Sequence, residues 1–308
     1  MQTALIIPTL NAGSFLSVLL PALRNLSPQP DEVLFVDSSS DDDTVKKIVE
    51  AGFRAHVIPR KSFGHGKTRN FAASLVEADI LIYLTQDVLP SDTRLIAEIV
   101  SAFGDPLVAH VYVRQLPHND ATIAARFSRR FNYPAISLTT NFGDIEKLGI
   151  RAFRSSNACA AYRRTIFEQV GGFPENVPVS EDTFVAARMI LAGASSRYLA
   201  TTAVKHSHNY TFKQEFQRYF DIGAAHDLMP WYSQLASNVG NEGRRYLTDE
   251  FWFLVSLKRY DLLVDLFCRN GLRWLGYRIG RLNGFLPDKV CRKLAMSSHH
   301  WSLRKGGL

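Results

Sequence analysis

A chain of 308 residues that is 46% hydrophobic, with ordinary amounts of glycine and proline, can bury the core of a large globular domain. Its three cysteines are widely spaced and form no CxxC pair, which argues against a disulfide framework or a cysteine-ligated zinc site and favours a reducing compartment. The net charge of +7 lies entirely in residues 240–308, which hold 13 basic and 6 acidic residues, and this argues against a nucleic-acid footprint spread over the core domain.

The N-terminal stretch MQTALIIPTLNAG has no basic segment before its apolar run, and the run breaks at Pro8. It therefore predicts a first strand rather than a signal peptide. No apolar run reaches the roughly 18 residues that a membrane-spanning helix needs. We expect a soluble or peripheral protein of the cytoplasm, either free or at the inner face of the cytoplasmic membrane.

Four short apolar runs alternate with helical segments in the first part of the chain. The runs cover residues 4–9, 32–37, 55–59 and 80–85. Runs of this kind are typical of strands that are buried on both faces of a sheet. After the second run, the stretch SSSDDDTVKKIVEAG predicts a helix with Ser40 as its N-cap and Gly52 as its stop. The alternation predicts an α/β fold with a mostly parallel, doubly wound sheet.

Polar residues follow each of these predicted strands at its carboxyl end. They are Thr9, Asn11, Asp37, Gln86 and Asp87, together with the segment FGHGKTRN over residues 63–70. In a doubly wound sheet these strand ends meet at one edge, where ligands bind. Taken singly, each residue is also compatible with a turn or a helix cap. Together they predict a binding site at that edge of the sheet.

The segment FGHGKTRN has the features of a phosphate-contacting loop. Gly64 and Gly66 would let a ligand approach the backbone closely, and free N–H groups at a helix start favour an anion. Lys67 and Arg69 add positive charge. The segment is not a P-loop, because Lys61 stands where that motif requires its first glycine. A plain connecting loop is the alternative.

Six segments, taken in order, carry a resemblance to a known family. They are IIPTLNAG, VLFVDSSSDDDT, HGKTRN, YLTQDVLP, SEDTF and HSHNY. In this order they resemble the family 2 glycosyltransferases of the GT-A fold, and most of all the bacterial rhamnosyltransferases that build surface polysaccharides such as O-antigen. The resemblance implies a Rossmann-like catalytic domain over residues 1–235, with a nucleotide-sugar half at 1–115 and an acceptor half at 116–235. A basic, amphipathic helical region over residues 236–308 would follow it.

For the reaction, the resemblance implies inverting transfer of a sugar, with dTDP-L-rhamnose as the donor and other nucleotide sugars as the alternative. It also implies a divalent metal, Mg²⁺ or Mn²⁺, which can neutralise the charge that builds on the leaving diphosphate. The acceptor would be a saccharide carried on a polyprenyl diphosphate lipid. By the same resemblance the nucleotide sugar would contact Pro8, Thr9, Asn11, Asp37, Lys67, Arg69 and Gln86.

The resemblance also assigns a metal ligand and a base. Residues 85–87 occupy the position of the family's DxD motif with Thr85 replacing the first acid, so Asp87 is the implied metal ligand. Asp182, the second acid of SEDTF, is the implied base that takes the proton of the acceptor hydroxyl. Glu181 would orient the acceptor or the metal. The structural alternatives are helix capping for Asp87 and stabilisation of a helix dipole for the two neighbouring acids.

Three further residues are candidates for contact with metal, phosphate or acceptor. His206 and His208 lie two apart, on one face if the segment is extended. Neutral imidazoles suit Mn²⁺, so we predict His208 as a metal ligand and His206 as an acceptor or orienting residue, with a polar turn as the alternative. Arg114 follows the apolar run LVAHVYV and is predicted to contact phosphate or acceptor, with a surface ion pair as the alternative.

The C-terminal region mixes Trp, Phe and Leu with Arg at near-helical spacing. Basic amphipathic helices of this kind can lie on an anionic membrane surface; a helical cap or a dimer surface is the alternative. Two other functions stay open. A nucleotidyltransferase usually carries a basic, glycine-rich loop after its first strand, which PTLNAGS lacks, and a non-catalytic nucleotide-sugar-binding protein would not need both Asp87 and the acidic pair.

Overall fold

The computed structural model describes residues 1–235 and 239–303, and the chain divides into two compact units. The first, here called the sheet unit, consists of Met1–His118, Tyr133–Glu175 and Asp182–Ser207. The second, here called the helical unit, consists of Asn119–Asn132, Asn176–Glu181 and the chain from His208 onward. Helices in the C-terminal part of the chain agree with the prediction for that region.

One nine-stranded sheet forms the centre of the sheet unit. Its strands are β1 (Thr3–Thr9), β2 (Glu32–Asp37), β3 (Arg54–Val57), β4 (Ile80–Leu84), β5 (Leu89–Pro90), β6 (Val108–Leu116), β7 (Leu138–Thr140), β8 (Cys159–Arg163) and β9 (Ser195–Lys205). The strand order is β3-β2-β1-β4-β8-β6-β9-β5, and β7 also pairs with β9. The first four strands are parallel, whereas β8 is antiparallel to both of its neighbours, and β9 is parallel to β6 and antiparallel to β5 and β7. The predicted α/β architecture is confirmed. The strands that are all parallel to one another are β1, β2, β3 and β4, in the first half of the sheet.

Helices flank the sheet and fill the helical unit. They are α1 (Gly13–Arg24), α2 (Thr44–Glu50), α3 (His65–Ser74), α4 (Leu95–Ala102), α5 (Ile123–Asn132), α6 (Ile145–Leu148), α7 (Arg164–Gln169), α8 (Glu181–Leu191), α9 (Phe212–Leu228), α10 (Pro230–Leu235), α11 (Val239–Ser256), α12 (Leu263–Gly280), α13 (Asp288–Leu294) and α14 (Ser298–Leu303). Among the described residues, none of these helices is long and apolar enough to cross a membrane.

The apolar runs become strands because both faces of the central sheet are covered. Along β1, Leu5 and Ile7 enter one buried cluster, while Ala4 and Ile6 enter a second one. Successive side chains of a strand point to opposite faces, so a strand that packs on both sides must be apolar throughout. The four predicted strands are therefore found within two residues of their predicted bounds.

The prediction that Ser40 caps α2 is wrong. The helix begins at Thr44, four residues later, and the Ser40 hydroxyl instead donates to Asp37 Oδ1 at 2.6 Å. The backbone turns away from a helix at Ser39, whose φ is +59°, and the Thr44 hydroxyl then donates to Asp42 Oδ1. The polar run between β2 and α2 is thus a folded loop, and Ser40 in it donates hydrogen bonds to Asp37 at the buried end of β2.

The helical unit is built on close contact between α9 and α12. A Cβ atom at Gly276 would lie 2.4 Å from the Phe216 carbonyl oxygen, and one at Gly280 would lie 2.1 Å from the Phe220 carbonyl oxygen. Only glycine permits this approach of the two backbones. The buried guanidinium of Arg273 then donates to both carboxylate oxygens of Glu215, at 2.6 and 2.9 Å. The two helices are therefore held by backbone contact and a bidentate ion pair.

Candidate active site

The carboxyl ends of β1 and β2 meet at a buried aspartate. Asp37 pairs in register with Thr9 and is fully buried. Its carboxylate accepts hydrogen bonds from the Thr9 hydroxyl at 3.1 Å, the Ser40 N–H at 2.8 Å and the Ser40 hydroxyl at 2.6 Å. A buried carboxylate needs such donors, so Asp37 organises the loop between β2 and α2. It does not cap the helix that follows, which was its alternative role.

The amide of Gln86 binds the chain just after β1. Its Nε2 donates to the Leu10 carbonyl at 3.1 Å, and its Oε1 accepts from the Leu10 N–H at 2.8 Å. Both ends of the amide are therefore engaged with backbone, which gives Gln86 a positioning role, and its contact with the nucleotide sugar through the second N–H of Nε2 stays a prediction. The next residue, Asn11, has a φ of +50° and accepts from the Asp41 N–H at 2.9 Å. Hydrogen bonds thus join the loops after β1, β2 and β4. Pro8, the residue before the last one of β1, is half-buried.

The predicted phosphate loop is largely the first turn of α3. Lys67 is exposed, whereas Arg69 is buried and donates to the His65 carbonyl at 3.0 Å. A Cβ atom at Gly66 would lie 2.1 Å from the Pro174 carbonyl oxygen. This glycine is therefore required by the packing of α3 on that segment, and close approach of a phosphate is not needed to explain it.

Asp87 and His206 meet at the ends of β4 and β9. The Asp87 Oδ2 atom lies 3.4 Å from His206 Nε2, because the short strand β5 after Asp87 pairs with the end of β9. The next helix, α4, begins only at Leu95. Asp87 is therefore not the cap of that helix, and the capping alternative is excluded. The backbone carbonyl of Asp87 also lies 3.3 Å from His118 Nε2.

Gln115 determines which nitrogen of His206 faces Asp87. Its Nε2 donates to the Ser156 hydroxyl at 2.7 Å, which leaves its Oε1 to accept from His206 Nδ1 at 2.8 Å. In a neutral imidazole whose proton is on Nδ1, Nε2 has the lone pair that can bind a metal. Two ligand atoms held about 2.1 Å from one Mg²⁺ or Mn²⁺ ion lie about 3 Å apart in octahedral coordination. The observed 3.4 Å between Nε2 and Oδ2 therefore fits a shared divalent cation.

His208, the second predicted metal ligand, lies two residues after His206. The last segment of the helical unit begins at His208.

Thr85 stands at the first position of the predicted motif, and its buried hydroxyl has no hydrogen-bond partner within the described residues. Its N–H donates to the Ala158 carbonyl at 3.3 Å, which joins the end of β4 to the segment before β8.

The segment before β8 also binds the carboxylate of Asp182. The Asn157 N–H donates to Asp182 Oδ2 at 2.9 Å, while Oδ1 accepts from the Thr183 N–H at 2.7 Å. Asn157 in turn accepts from the Tyr162 hydroxyl of β8 at 2.8 Å. Asp182 is thus a half-buried carboxylate with a fixed orientation, in the first turn of α8. Its neighbour Glu181, the first residue of the helix, is 5% exposed.

Arg114 lies at a register shift of β6 against β9. Its Nε atom is buried and has no hydrogen-bond partner in the described part of the chain, and the surface ion pair that was its alternative is not formed there. Deeper in the sheet, His110 contacts the Ser196 hydroxyl at 2.7 Å and the Ser155 hydroxyl at 2.9 Å. Burial lowers the pKa of His110 to about 3, so this imidazole is neutral at pH 7.

Four of the supporting residues carried little or no sequence signal. They are Ser155, Ser156, Asn157 and His118. Gln115 had one signal, its position beside Arg114 at the end of a predicted strand. The contacts of all five cross between distant segments, for example the 41 positions between Gln115 and Ser156, and no local spacing could have indicated them.

Comparison with known proteins agrees with this geometry. The family described as Glycosyl transferase family 2 matches residues 4–171. The O-antigen chain rhamnosyltransferase RfbN of Salmonella typhimurium is 41% identical over 307 residues, which are 98% of this chain and 96% of that protein. The O-antigen chain rhamnosyltransferase WbaN of Salmonella anatum is 41% identical over 303 residues, which are 97% of this chain and 95% of that protein.

Solved structures support the fold. The mannosyltransferase PcManGT of Pyrobaculum calidifontis, solved with GDP-Man and Mn²⁺, has a TM-score of 0.62 over 91% of this chain and 87% of its own, at 15% identity. TarS of S. aureus has a TM-score of 0.57 over 96% of this chain and 84% of its own, at 16% identity. At these identities the likeness concerns the fold alone, and it confirms the predicted GT-A architecture.

Proposed function

We propose, from the premise that this chain belongs to glycosyl transferase family 2, that it transfers L-rhamnose from dTDP-L-rhamnose to a saccharide acceptor of an O-antigen chain. The observation that carries the proposal is 41% identity, over nearly the whole chain, to two O-antigen chain rhamnosyltransferases. Family membership makes the protein a glycosyltransferase, so the nucleotidyltransferase and the non-catalytic binding protein are no longer alternatives. A different nucleotide sugar is the remaining one.

The pair Asp87 and His206 supports a divalent metal at the ends of β4 and β9. A carboxylate oxygen and an imidazole lone pair at 3.4 Å form a suitable donor set for Mg²⁺ or Mn²⁺. Asp87 and His206 would hold the ion together with His208, the ligand that the family resemblance implies, and the donor diphosphate and waters would complete its shell. When bound, the metal neutralises charge on the leaving diphosphate. Gln115 contacts Nδ1 of His206 and so leaves Nε2 as the nitrogen that would bind the ion, while Asp87 would supply a carboxylate oxygen.

The loop between β2 and α2 supports a nucleotide site at the same edge of the sheet. Asp37 draws Thr9 and Ser40 together, and Gln86 fixes the backbone at Leu10. We assign Asp37 and Asn11 to the base and ribose of the nucleotide, and the exposed Lys67 to its phosphates. Arg69 supports that site from within α3. Because these loops are already bonded to one another, the donor would meet loops that are ordered before it binds, and little ordering cost is added on binding.

Asp182 supports inversion by one displacement. Its carboxylate, held by Asn157 and Thr183, takes the proton from the acceptor hydroxyl as that oxygen forms its bond to the anomeric carbon. The bond from the anomeric carbon to the diphosphate oxygen breaks, and its electron pair leaves with the nucleotide. The carboxylate gains the proton and releases it to solvent afterwards. Glu181 and Arg114 are assigned to orient the acceptor.

The compartment and the acceptor carrier belong to the same proposal. The described cysteines Cys159, Cys268 and Cys291 are all free thiols, which suits a reducing cytoplasm. We infer that the enzyme works on the cytoplasmic side of the membrane, on a saccharide that a polyprenyl diphosphate carries.

A donor panel tests the proposal directly. The purified protein is incubated with dTDP-L-rhamnose, UDP-glucose or GDP-mannose, with and without Mn²⁺, and release of the nucleoside diphosphate is followed in the presence of an O-antigen oligosaccharide. We expect turnover with dTDP-L-rhamnose and Mn²⁺ only. Turnover with another donor and none with dTDP-L-rhamnose would contradict the donor assignment while leaving the glycosyltransferase assignment in place.

A further inference from the structure

One face of α12 in the helical unit is apolar and uncovered. Its members on α12 are Val264, Phe267, Trp274 and Leu275; together with the exposed Leu282 and Phe285, which lie in the segment after the helix, we call them the docking face. At 100° per residue, the members on α12 itself fall within a third of the helical circumference. Val264 is 74% exposed, Trp274 is 64% and Phe285 is 87%. Exposed apolar side chains grouped on one helix face indicate an interaction surface.

This exposure follows from the packing of the helix. The opposite side of α12 is buried against α9 through Arg273, Gly276 and Gly280. The docking face therefore cannot turn inward without breaking the bidentate contact of Arg273 with Glu215. Gly271, at the centre of the docking face, has no atom within 4 Å of where its Cβ would lie. Within the described residues, nothing of this chain covers the centre of the stripe.

The charges around the docking face are almost all positive. Residues 256–293 contain nine basic and three acidic residues. Two of the acids are neutralised locally, because Asp261 pairs with Arg259 and Asp265 pairs with Arg269, each at 2.6 Å. Six cations are left without a carboxylate partner in the part of the chain that the structure describes: Lys258, Arg278, Arg281, Lys289, Arg292 and Lys293. The surface therefore combines an apolar stripe with uncompensated positive charge.

A pocket opens beside the C-terminal end of the docking face. It has a volume of about 500 Å³, and its lining includes His226, Ser233, Arg278, Arg281 and Leu282. Arg281 donates to the Ser233 hydroxyl at 2.7 Å, which fixes its guanidinium at the pocket wall. Two arginines next to exposed apolar side chains suit a phosphate whose ester group is hydrophobic.

We propose that the docking face binds an anionic phospholipid bilayer, with its aromatic and aliphatic side chains in the interface and a lipid phosphate in the Arg278 and Arg281 pocket. Trp and Phe favour the boundary between lipid headgroups and acyl chains, and unpaired Lys and Arg favour an anionic leaflet. A second copy of the chain is the weaker occupant, because two such surfaces would bring the same positive charges together. Arg278 lies within the stripe and would have no negative partner there.

The test is co-sedimentation with vesicles of phosphatidylcholine alone and with vesicles that also contain phosphatidylglycerol. We expect the full-length protein to bind the anionic vesicles at least tenfold more tightly, and less tightly at high salt. The double substitution Phe267→Ser with Trp274→Ser should reduce that binding by about tenfold or more. Arg278→Gln should reduce it by about fivefold, on anionic vesicles only.

The matched control is the double substitution Leu107→Ser with Phe142→Ser, because these side chains are each 61% exposed but lie in the sheet unit. It should bind vesicles like the wild type. Circular dichroism and thermal unfolding show that each variant is folded, and transfer to a lipid-free oligosaccharide should be unchanged in the Phe267 and Trp274 variant, so a failure of this proposal is separable from a failure of the transferase assignment.

Three results would overturn the proposal. The first is equal binding of both vesicle types by the wild-type protein, or binding of neither. The second is unchanged vesicle binding by the Phe267 and Trp274 variant. The third is a dimer of the wild-type protein, detected by light scattering, that this variant converts to a monomer, since the docking face would then be an interface between copies.

Discussion

The Nδ1 atom of His206 lies 2.8 Å from the side-chain oxygen of Gln115, and this contact leaves Nε2 facing Asp87. An imidazole that ligates a metal usually gives its other nitrogen to such a partner, which fixes the tautomer and the ring orientation. Gln115 is itself held by the Ser156 hydroxyl. A chain of hydrogen bonds therefore runs from Ser156 through Gln115 of β6 to His206, the proposed metal ligand.

Removing this partner should weaken metal binding. We expect Gln115→Leu to lower the affinity for Mn²⁺ by about 10- to 100-fold in the presence of dTDP. Titration calorimetry and Mn²⁺ electron paramagnetic resonance measure this change without requiring turnover. Gln169→Leu, on the exposed side of α7, is the matched control and should bind Mn²⁺ like the wild type. Equal affinity in Gln115→Leu and the wild type would show that Gln115 does not support a metal ligand.

The carboxylate of Asp87 should be needed for the metal response itself. Asp87→Asn keeps the shape of the side chain but removes its charge, so we expect it to abolish the increase in dTDP affinity that Mn²⁺ produces while leaving thermal unfolding of the free protein near that of the wild type. The matched control is Asp92→Asn, five residues further along, where the carboxylate lies near Arg94 at the surface. A normal Mn²⁺ response in Asp87→Asn would place the metal elsewhere.

The buried imidazole of His110 should make the sheet unit sensitive to acid. Its folded pKa is lowered to about 3 by burial, below an ordinary value of about 6.5, so protonation favours the unfolded chain. The stabilisation is present above pH 6.5 and is lost as the pH falls toward 3, by up to about 1.4 kcal/mol per pH unit.

Urea unfolding between about pH 5 and pH 7 measures this dependence. His110→Gln can keep a hydrogen bond to one of the two serines but carries no titrating group, so its free energy of unfolding should fall less steeply with decreasing pH. The comparison uses the slope rather than the absolute stability, which the substitution also changes. Identical slopes for the two proteins would mean that His110 does not carry the pH dependence.

The sequence was sufficient for the strands that are buried on both faces. Runs such as ILIYL must be apolar throughout to form β4, and the polar residues after them lie at the edge where a parallel sheet binds its ligands. The antiparallel entry of β8 between β4 and β6 was not predicted. Its position depends on pairing between segments that are about 80 residues apart in the chain, as for Ile80 with Arg163, and periodicity carries no information about that.

The site was predictable at its charged residues and not at their supports. Asp87 and Asp182 stand at a strand end and at a helix start, which are positions that local patterns indicate. Their supports are ordinary polar residues: Gln115 contacts His206 beside Asp87, and Asn157 donates to Asp182. These roles arise only when β6 and the segment before β8 come together. Ser40 is the opposite case, because its local pattern predicted a helix cap that does not form. Its N–H and hydroxyl instead donate to the buried Asp37 carboxylate, which needs hydrogen-bond donors.

Asp182 is the residue on which the proposed chemistry depends. Its Oδ2 accepts from the Asn157 N–H and its Oδ1 from the Thr183 N–H, so Asp182→Asn should keep the fold while removing the proton acceptor. We expect kcat to fall by roughly 100-fold or more, the usual scale for a general base, with donor affinity little changed. The comparison variant Glu181→Gln removes the neighbouring carboxylate and should alter the KM for acceptor more than kcat. Single-turnover rates test the base, and the anomeric configuration of the product, read by NMR, tests the displacement. We expect an α-linked rhamnoside from a β-linked donor. Near-normal turnover in Asp182→Asn would show that another group is the base. A β-linked product would exclude a single displacement.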